Sequence, residues 1–143
     1  MRRSTTTGAW LLVLLCGACA QGETFVVSLD GPSFVYDGMT DMDIDLTIGL
    51  GDTVRWEWVS GFHNVVSGFP GEVGEGLLFD SGDPTSGVGT SFEFTFDESG
   101  LYGYHCEVHE SIGMISQVRV VPTPATTLAM LPLGLCAVSR RRR

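Results

Sequence analysis

Residues 102–114 constrain the fold more than any other part of the chain. They place a thiol, an imidazole and a thioether within nine residues, at Cys106, His109 and Met114. A second imidazole, that of His63, lies far upstream. Sulfur and imidazole donors are soft or borderline ligands, which suit copper or zinc better than magnesium or calcium. The fold therefore has to bring one distant histidine to a short segment that is rich in metal ligands.

The spacing of these donors predicts a loop between two neighbouring strands. Residues 101–106 alternate as a strand does, and residues 115–121 form the next apolar run. A chain that leaves one strand and enters its neighbour can turn all three side chains toward one point. Two histidines, one cysteine and one methionine are the ligand set of a blue-copper site, with methionine as the weak axial ligand. Zinc sites use cysteine, histidine and carboxylate ligands, so the position of Met114 favours copper.

The rest of the chain has the pattern of many short strands. Apolar and polar residues alternate with a period of two in three runs, at residues 42–50, 54–58 and 92–97. A further short strand is predicted at residues 25–29. Residues 67–90 are rich in glycine and contain two prolines, which predicts a loop with one short turn of helix. With no long helical period, the pattern predicts an all-β protein, a Greek-key β-sandwich.

Two motifs together resemble a known family. The motif Tyr-x-Cys-x-x-His-x-x-x-Gly-Met spans residues 104–114, and His-Asn-Val-Val begins at His63. This combination resembles the plastocyanin-like cupredoxins, and the resemblance extends over residues 25–121. Two positions depart from the usual plastocyanin pattern, because Phe62 and Val108 stand where those proteins have proline.

The resemblance implies a cupredoxin-like fold and one type 1 copper per chain. The implied metal ligands are His63, Cys106, His109 and Met114. It also implies that electrons leave through His109 at an apolar surface patch, for which Phe62 and Ile112 are the candidates. Asn64 is expected to hydrogen-bond across to the Cys106 loop and to hold the ligands in place.

The predicted function is electron transfer by a one-electron shuttle that cycles between Cu(II) and Cu(I). Three strong ligands and a methionine leave no position for a substrate, so the chain is not expected to be an enzyme. Two alternatives remain open: a copper-sequestration protein of the cell envelope, and a redox module of a copper oxidase system. Sequestration predicts metal that exchanges readily without rapid electron transfer, which a self-exchange rate would detect.

Two neighbouring features have other interpretations. His105 points away from Cys106 in a regular strand, so it is expected not to be a ligand of the same metal. Residues 97–102 are similar to the tyrosine corner of immunoglobulin-type sandwiches, in which a disulfide cysteine lies two residues after the tyrosine. That position is Tyr104 here, and residues 21–105 contain no cysteine. A disulfide-linked sandwich is therefore excluded.

Both ends of the chain have the composition of targeting segments. Residues 1–20 combine two early arginines, a short apolar run and small residues at 18–20, which predicts a secretory signal peptide. Residues 122–143 combine a Pro-Thr-Pro motif, an apolar run and four final arginines, and resemble the PEP-CTERM sorting signal read by exosortases in Gram-negative bacteria. The alternative for this tail is a short membrane anchor. The expected domain is residues 21–121, exported to the periplasm or cell surface.

The charge of the predicted domain limits its partners. It holds all 17 acidic residues of the chain but only two of the 8 basic ones, Arg55 and Arg119, which gives a formal net charge of −15. So acidic a surface excludes nucleic acid as a partner. It is suited to steering a redox protein with a basic docking surface, and it also favours solubility.

Overall fold

Nine strands form two sheets in residues 22–122, the part of the chain that the computed structural model describes. The strands are β1 (Thr24–Asp30), β2 (Ser33–Tyr36), β3 (Met39–Thr40), β4 (Leu46–Gly49), β5 (Thr53–Trp58), β6 (Val66–Ser67), β7 (Ser91–Thr95), β8 (Gly100–His105) and β9 (Ile115–Val121). The strand order is β3-β2-β1-β5-β7 in the first sheet and β4-β9-β8-β6 in the second. The predicted all-β sandwich is confirmed.

The register of the second sheet brings both ends of the metal-ligand loop together. Strands β8 and β9 are antiparallel neighbours, with Gly100 opposite Val120 and His105 opposite Ile115. Residues 106–114 therefore connect adjacent strands, as the donor spacing predicts. Strand β6 pairs with the other edge of β8 through Val66 and His105, so the segment that follows His63 lies beside the loop.

The core lies between the sheets and holds β8 firmly beneath the loop. Along β5, Val54, Trp56 and Trp58 are buried, as the period of two predicts. The rings of Trp56 and Phe34 both meet the Tyr104 ring edge-on, with centroids 5.3 and 4.7 Å away. Burying a side chain of this size contributes about 1.5–3 kcal/mol. This packing fixes the strand two residues before Cys106.

The strand predicted at residues 42–50 is shorter than its alternation suggests. Only Leu46–Gly49 is a strand, and Asp41–Asp43 form a turn of 3-10 helix instead. Asp41 has a positive φ of 50°, and its side chain accepts a hydrogen bond of 2.9 Å from the backbone N–H of Phe34. The hydroxyl of Ser116 donates to the Asp41 carbonyl at 2.8 Å. These contacts hold a turn where the sequence pattern predicts extended chain.

The sequence predicts a loop at residues 67–90; the structure has a loop at residues 68–90, between β6 and β7, without the expected turn of helix. Two isolated β-bridges hold the loop to the segment before it, between His63 and Thr85 and between Val66 and Asp80. The Ser67 hydroxyl accepts the N–H groups of Leu78 and Phe79. Separate turns also pair backbone groups here, for example the N–H of Glu72 with the Phe69 carbonyl at 3.0 Å and the N–H of Leu77 with the Gly74 carbonyl at 3.1 Å.

The predicted targeting segments are not part of this description. Residues 1–20, the predicted signal peptide, and residues 123–143 of the predicted tail lie outside the described residues. Between residues 22 and 122 there is no helix that is long and apolar enough to cross a membrane.

Candidate metal centre

Three predicted ligands meet at one end of the sandwich. The Sγ atom of Cys106 lies 3.8 Å from Nδ1 of His63 and 3.6 Å from Nδ1 of His109. The three donor atoms lie within 4.8 Å of one another. Cys106 and His63 are completely buried, whereas His109 is half-buried. The fold therefore brings the distant histidine to the loop as the sequence predicts.

The separations of these donors fit a shared metal ion. A four-coordinate metal with bonds of about 2.3 Å to sulfur and 2.0 Å to nitrogen holds such donors about 3.5–3.8 Å apart. The two sulfur–nitrogen distances, 3.6 and 3.8 Å, lie in this range. Both imidazoles present the same nitrogen, Nδ1, toward the sulfur. The arrangement is a preformed site for a soft or borderline metal.

The ring of His63 is oriented by the chain just before it. Its Nε2 lies 2.8 Å from the carbonyl oxygen of Ser60. A carbonyl only accepts hydrogen bonds, so Nε2 carries the proton and Nδ1 keeps its lone pair for a metal. Burial lowers the pKa of His63; the Ser60 carbonyl opposes this, and the nearby His109 adds to it. A lowered pKa favours the neutral ring, which is the form that binds metal.

Gly61 makes room for that ring. Its φ is +95°, a left-handed conformation that favours glycine. A Cβ atom at this position would lie 2.2 Å from Nε2 of His63 and 3.0 Å from the carbonyl oxygen of Gly31. Only a residue without a side chain fits between the ring and the neighbouring backbone.

The backbone of the ligand loop is closed by its own hydrogen bonds. The N–H of Cys106 donates to the Met114 carbonyl at 3.1 Å, and the N–H of Met114 donates to the His109 carbonyl at 3.2 Å. Between them lies a second turn of 3-10 helix, Glu110–Ile112, which ends at Gly113 with a φ of +98°. Met114 is completely buried in the same core cluster as Cys106. The loop thus returns the fourth predicted ligand to the core beside Cys106.

Asn64 links the two segments that supply the ligands. Its Nδ2 atom donates to the Glu107 carboxylate at 2.5 Å, and its Oδ1 atom accepts the Glu107 N–H at 3.1 Å. Asn64 itself is 1 % exposed. The predicted bond from Asn64 to the Cys106 loop is present, and Glu107 is the partner that sequence alone did not identify.

Three apolar residues near the ligands in the chain are exposed. Phe62, Val108 and Ile112 are 50 %, 43 % and 66 % exposed. Phe62 directly precedes His63, Val108 directly precedes His109, and Ile112 lies three residues after His109 in the same loop. Phe62 and Ile112, the two apolar residues predicted for an electron-transfer patch, are thus accessible to solvent.

His105 is not part of this donor group. Its side chain is buried beside Glu75 and Glu110, with Nδ1 2.9 Å from the Gly68 carbonyl.

The tyrosine corner is also present, because the Tyr102 hydroxyl donates to the Glu98 carbonyl at 2.9 Å. No sequence pattern marks Ser60 or Glu107, whereas a glycine two residues before a ligand histidine is a weak signal for Gly61.

The sequence matches a family of known proteins. Residues 37–121 match the family described as copper binding proteins of the plastocyanin/azurin family. A chloroplastic plastocyanin of Tetradesmus obliquus is 38 % identical over 105 residues, which cover 71 % of this chain and 68 % of that protein. A halocyanin of Natronomonas pharaonis is 39 % identical over 103 residues, covering 70 % of this chain and 57 % of the halocyanin.

A solved structure agrees with the sequence relatives. The purple cupredoxin of Nitrosopumilus maritimus is 27 % identical, with a TM-score of 0.50 over 69 % of this chain and 99 % of that one. The two-sheet sandwich, the His63–Cys106–His109–Met114 site and these relatives are mutually consistent, and they are consistent with one type 1 copper. The chain therefore belongs to the plastocyanin/azurin family of copper binding proteins.

Proposed function

We propose that this protein is an electron shuttle that holds one type 1 copper on His63, Cys106, His109 and Met114. One observation carries the proposal: the Cys106 sulfur already lies 3.8 Å from Nδ1 of His63 and 3.6 Å from Nδ1 of His109. A bound copper ion supplies a couple, Cu(II)/Cu(I), that exchanges one electron. The protein keeps the positions of the donor atoms fixed while the charge of the metal ion changes.

The ligand frame is rigid for identifiable reasons. Besides its ring bond to Ser60, His63 exchanges two backbone hydrogen bonds with Thr85. Its carbonyl also accepts the indole N–H of Trp58 at 3.1 Å. Cys106 continues a strand whose Tyr104 is locked in the core. A frame that moves little between oxidation states keeps the reorganisation energy low, which suits a shuttle.

Met114 would complete the proposed ligand set as its weak thioether donor. A thioether favours the reduced metal, and the axial ligand tunes the reduction potential. The support is its burial beside Cys106 and the two backbone bonds that hold it there. With four protein donors assigned, the proposal leaves no substrate position, so the role is electron transfer and not catalysis.

We assign the electron exit to His109 and to the apolar residues around it. Phe62 and Ile112 are half or more exposed, and His109, whose Nδ1 lies 3.6 Å from the Cys106 sulfur, is half-buried. A small apolar contact loses its water easily and separates easily, as a transient partner requires. Electrons then leave through the imidazole that lies nearest to solvent.

Charge supports a basic partner. The 17 acidic residues all lie between positions 22 and 122, and Arg55, one of two cations there, is already paired with Glu57 and Glu93. A strongly negative field accelerates encounter with a positively charged protein, and salt screens it. The partner is therefore proposed to be a redox protein with a basic docking surface.

The chain is further proposed to be exported, with residues 1–20 removed as a signal peptide and the tail processed by an exosortase. The support is the composition of both ends. Export places the domain in the periplasm or at the cell surface, where an electron carrier meets envelope redox proteins.

Two measurements test the shuttle. Rapid electron self-exchange between oxidised and reduced protein is expected, and a very slow exchange with labile copper would indicate sequestration instead. Ile112→Lys should slow electron transfer to a protein partner without altering the visible spectrum. The matched control is Leu101→Lys, because Leu101 is 51 % exposed at the opposite end of β8 from the ligand loop. Equal rates in both variants would remove Ile112 from the exit surface.

A further inference from the structure

A second group of ligand-type side chains lies beside the copper loop. Donor atoms of Glu75, His105 and Glu110 lie within 4.8 Å of one another. His105 ends β8, Glu110 begins the 3-10 turn of the ligand loop, and Glu75 comes from the loop after β6. The three residues share no side chain with the copper centre. They come from three separate segments, as the ligands of a folded site do.

The buried imidazole has a defined orientation. His105 is completely buried, and its Nδ1 lies 2.9 Å from the carbonyl oxygen of Gly68. Because a carbonyl only accepts, Nδ1 carries the proton in this bond. The lone pair of the neutral ring is then on Nε2, the nitrogen that faces Glu75 and Glu110.

That nitrogen is close to both carboxylates but bonded to neither. Nε2 lies 3.0 Å from Oε1 of Glu75 and 3.6 Å from Oε2 of Glu110, yet it is buried and makes no hydrogen bond. A separation of 3.0 Å is short enough for a hydrogen bond, so it is the angle that prevents one. Oε1 of Glu75 therefore lies to the side of the line along which a proton on Nε2 would point. Ligands of one metal ion are related in this way, since each points at the ion and not at its neighbour.

The surroundings hold the donors as those of a metal site are held. Metal-binding histidines donate their other ring N–H to a carbonyl or carboxylate, and metal-binding carboxylates are themselves hydrogen-bonded. His105 donates its other ring N–H to the Gly68 carbonyl in this way. The carboxylate of Glu75 is hydrogen-bonded too, because its second oxygen, Oε2, accepts the N–H of Gly71 at 2.8 Å.

We propose that Glu75, His105 and Glu110 form a second metal site, for a divalent first-row transition ion such as Zn²⁺. A tetrahedral zinc ion holds imidazole nitrogen and carboxylate oxygen about 3.4 Å apart, and the observed 3.0 and 3.6 Å lie on either side of this value. The two carboxylates balance the charge of the ion. The carboxylate side chains are 30 % and 40 % exposed, so water can complete the coordination.

The two sites differ in donor chemistry. The copper centre offers sulfur from Cys106, whereas the second site offers one nitrogen and carboxylate oxygens. Nitrogen and oxygen donors suit Zn²⁺ and other divalent ions and do not select Cu(I). Divalent copper also binds nitrogen and oxygen donors, so zinc is expected at the second site when the protein carries one equivalent of copper, which the sulfur-containing first site holds. An ion there would lie next to the loop that holds His109.

Equilibrium dialysis against Zn²⁺ of the protein loaded with one equivalent of copper, followed by analysis of both metals, tests the proposal. We expect one zinc per chain with the copper content and the visible band unchanged. Glu75→Gln and Glu110→Gln should each weaken zinc binding by at least about tenfold. Glu98→Gln is the charge-matched control, because Glu98 is an exposed carboxylate on the turn between β7 and β8. It should bind zinc as the unaltered protein does.

Three results would overturn the second site: no zinc bound, equal zinc affinity in the Glu75→Gln and Glu98→Gln variants, or zinc gained only as copper is lost. The same titration in a Cys106→Ala background separates the two sites. Zinc that binds there and is lost on adding Glu75→Gln supports the second site whether or not the first holds copper. Zinc binding to the Cys106→Ala protein that is unchanged by the added Glu75→Gln substitution contradicts the second site.

Discussion

Replacement of Gly61 by alanine tests how the protein orients His63. The new Cβ atom would lie 2.2 Å from Nε2 of the His63 ring, far inside van der Waals contact. The ring is completely buried, so it can relieve this clash only by shifting within the site. It must therefore move away from the Ser60 carbonyl that fixes its tautomer. Copper affinity and stability should both fall.

The size of the effect has two parts. A side chain in the left-handed conformation of Gly61 costs roughly 1–2 kcal/mol. Loss of the hydrogen bond from His63 to Ser60 costs about 0.5–1.5 kcal/mol more. The free energy of unfolding of the metal-free protein should thus fall by about 1.5–3.5 kcal/mol. A misoriented ligand should lower copper affinity by about 10- to 100-fold.

Gly89→Ala separates the two parts. Gly89 has a φ of +84°, and a Cβ atom there would have no heavy atom within 4 Å. The control therefore shares the backbone cost but leaves the His63 ring alone. Urea unfolding of the metal-free variants gives the stability, and competition with a chelator gives the copper affinity. Equal copper affinity in the Gly61→Ala and Gly89→Ala proteins would refute the role of Gly61 in placing the ligand.

Further substitutions and one analysis of the native protein test the remaining parts of the site and the chain. Asn64→Ala removes both hydrogen bonds to Glu107, so stability should fall by about 1–3 kcal/mol and a chelator should remove copper faster; an unchanged removal rate would deny that Asn64 holds the frame. Met114→Leu should keep copper and colour but raise the reduction potential in voltammetry, because loss of a donor destabilises Cu(II) more than Cu(I). Complete loss of copper, or an unchanged potential, would contradict a weak axial role. Mass spectrometry of protein from the native host should find a chain that begins near Gln21 and lacks the final arginines; an intact chain would be evidence against processing.

The sequence predicts the sandwich and the donors of the copper site because both signals are local. Alternation with a period of two marks β5 and β7, and the identity and spacing of Cys106, His109 and Met114 indicate soft-metal chemistry in a loop between strands. Only the meeting of His63 with that loop needs long-range information. The family resemblance supplies it, and the structure agrees.

Features that depend on contacts between distant residues could not be predicted in this way. The alternation at residues 42–50 does not reveal the hydrogen bonds that Asp41 accepts from Phe34 and Ser116, which hold a turn there. Likewise, nothing in the sequence pairs Glu75 with His105, because the loop that carries Glu75 has no periodic pattern. In both cases a side chain meets a partner that sequence spacing does not reveal.

The visible absorption spectrum of the copper-loaded protein tests the central claim most directly. Cys106 lies at the centre of the donor group, so a thiolate bound to Cu(II) should give an intense charge-transfer band. The account predicts one copper per chain, a strongly coloured oxidised protein, bleaching on reduction, and no band in the Cys106→Ala variant. A colourless Cu(II) complex of the unaltered protein, or a band that survives Cys106→Ala, would contradict it.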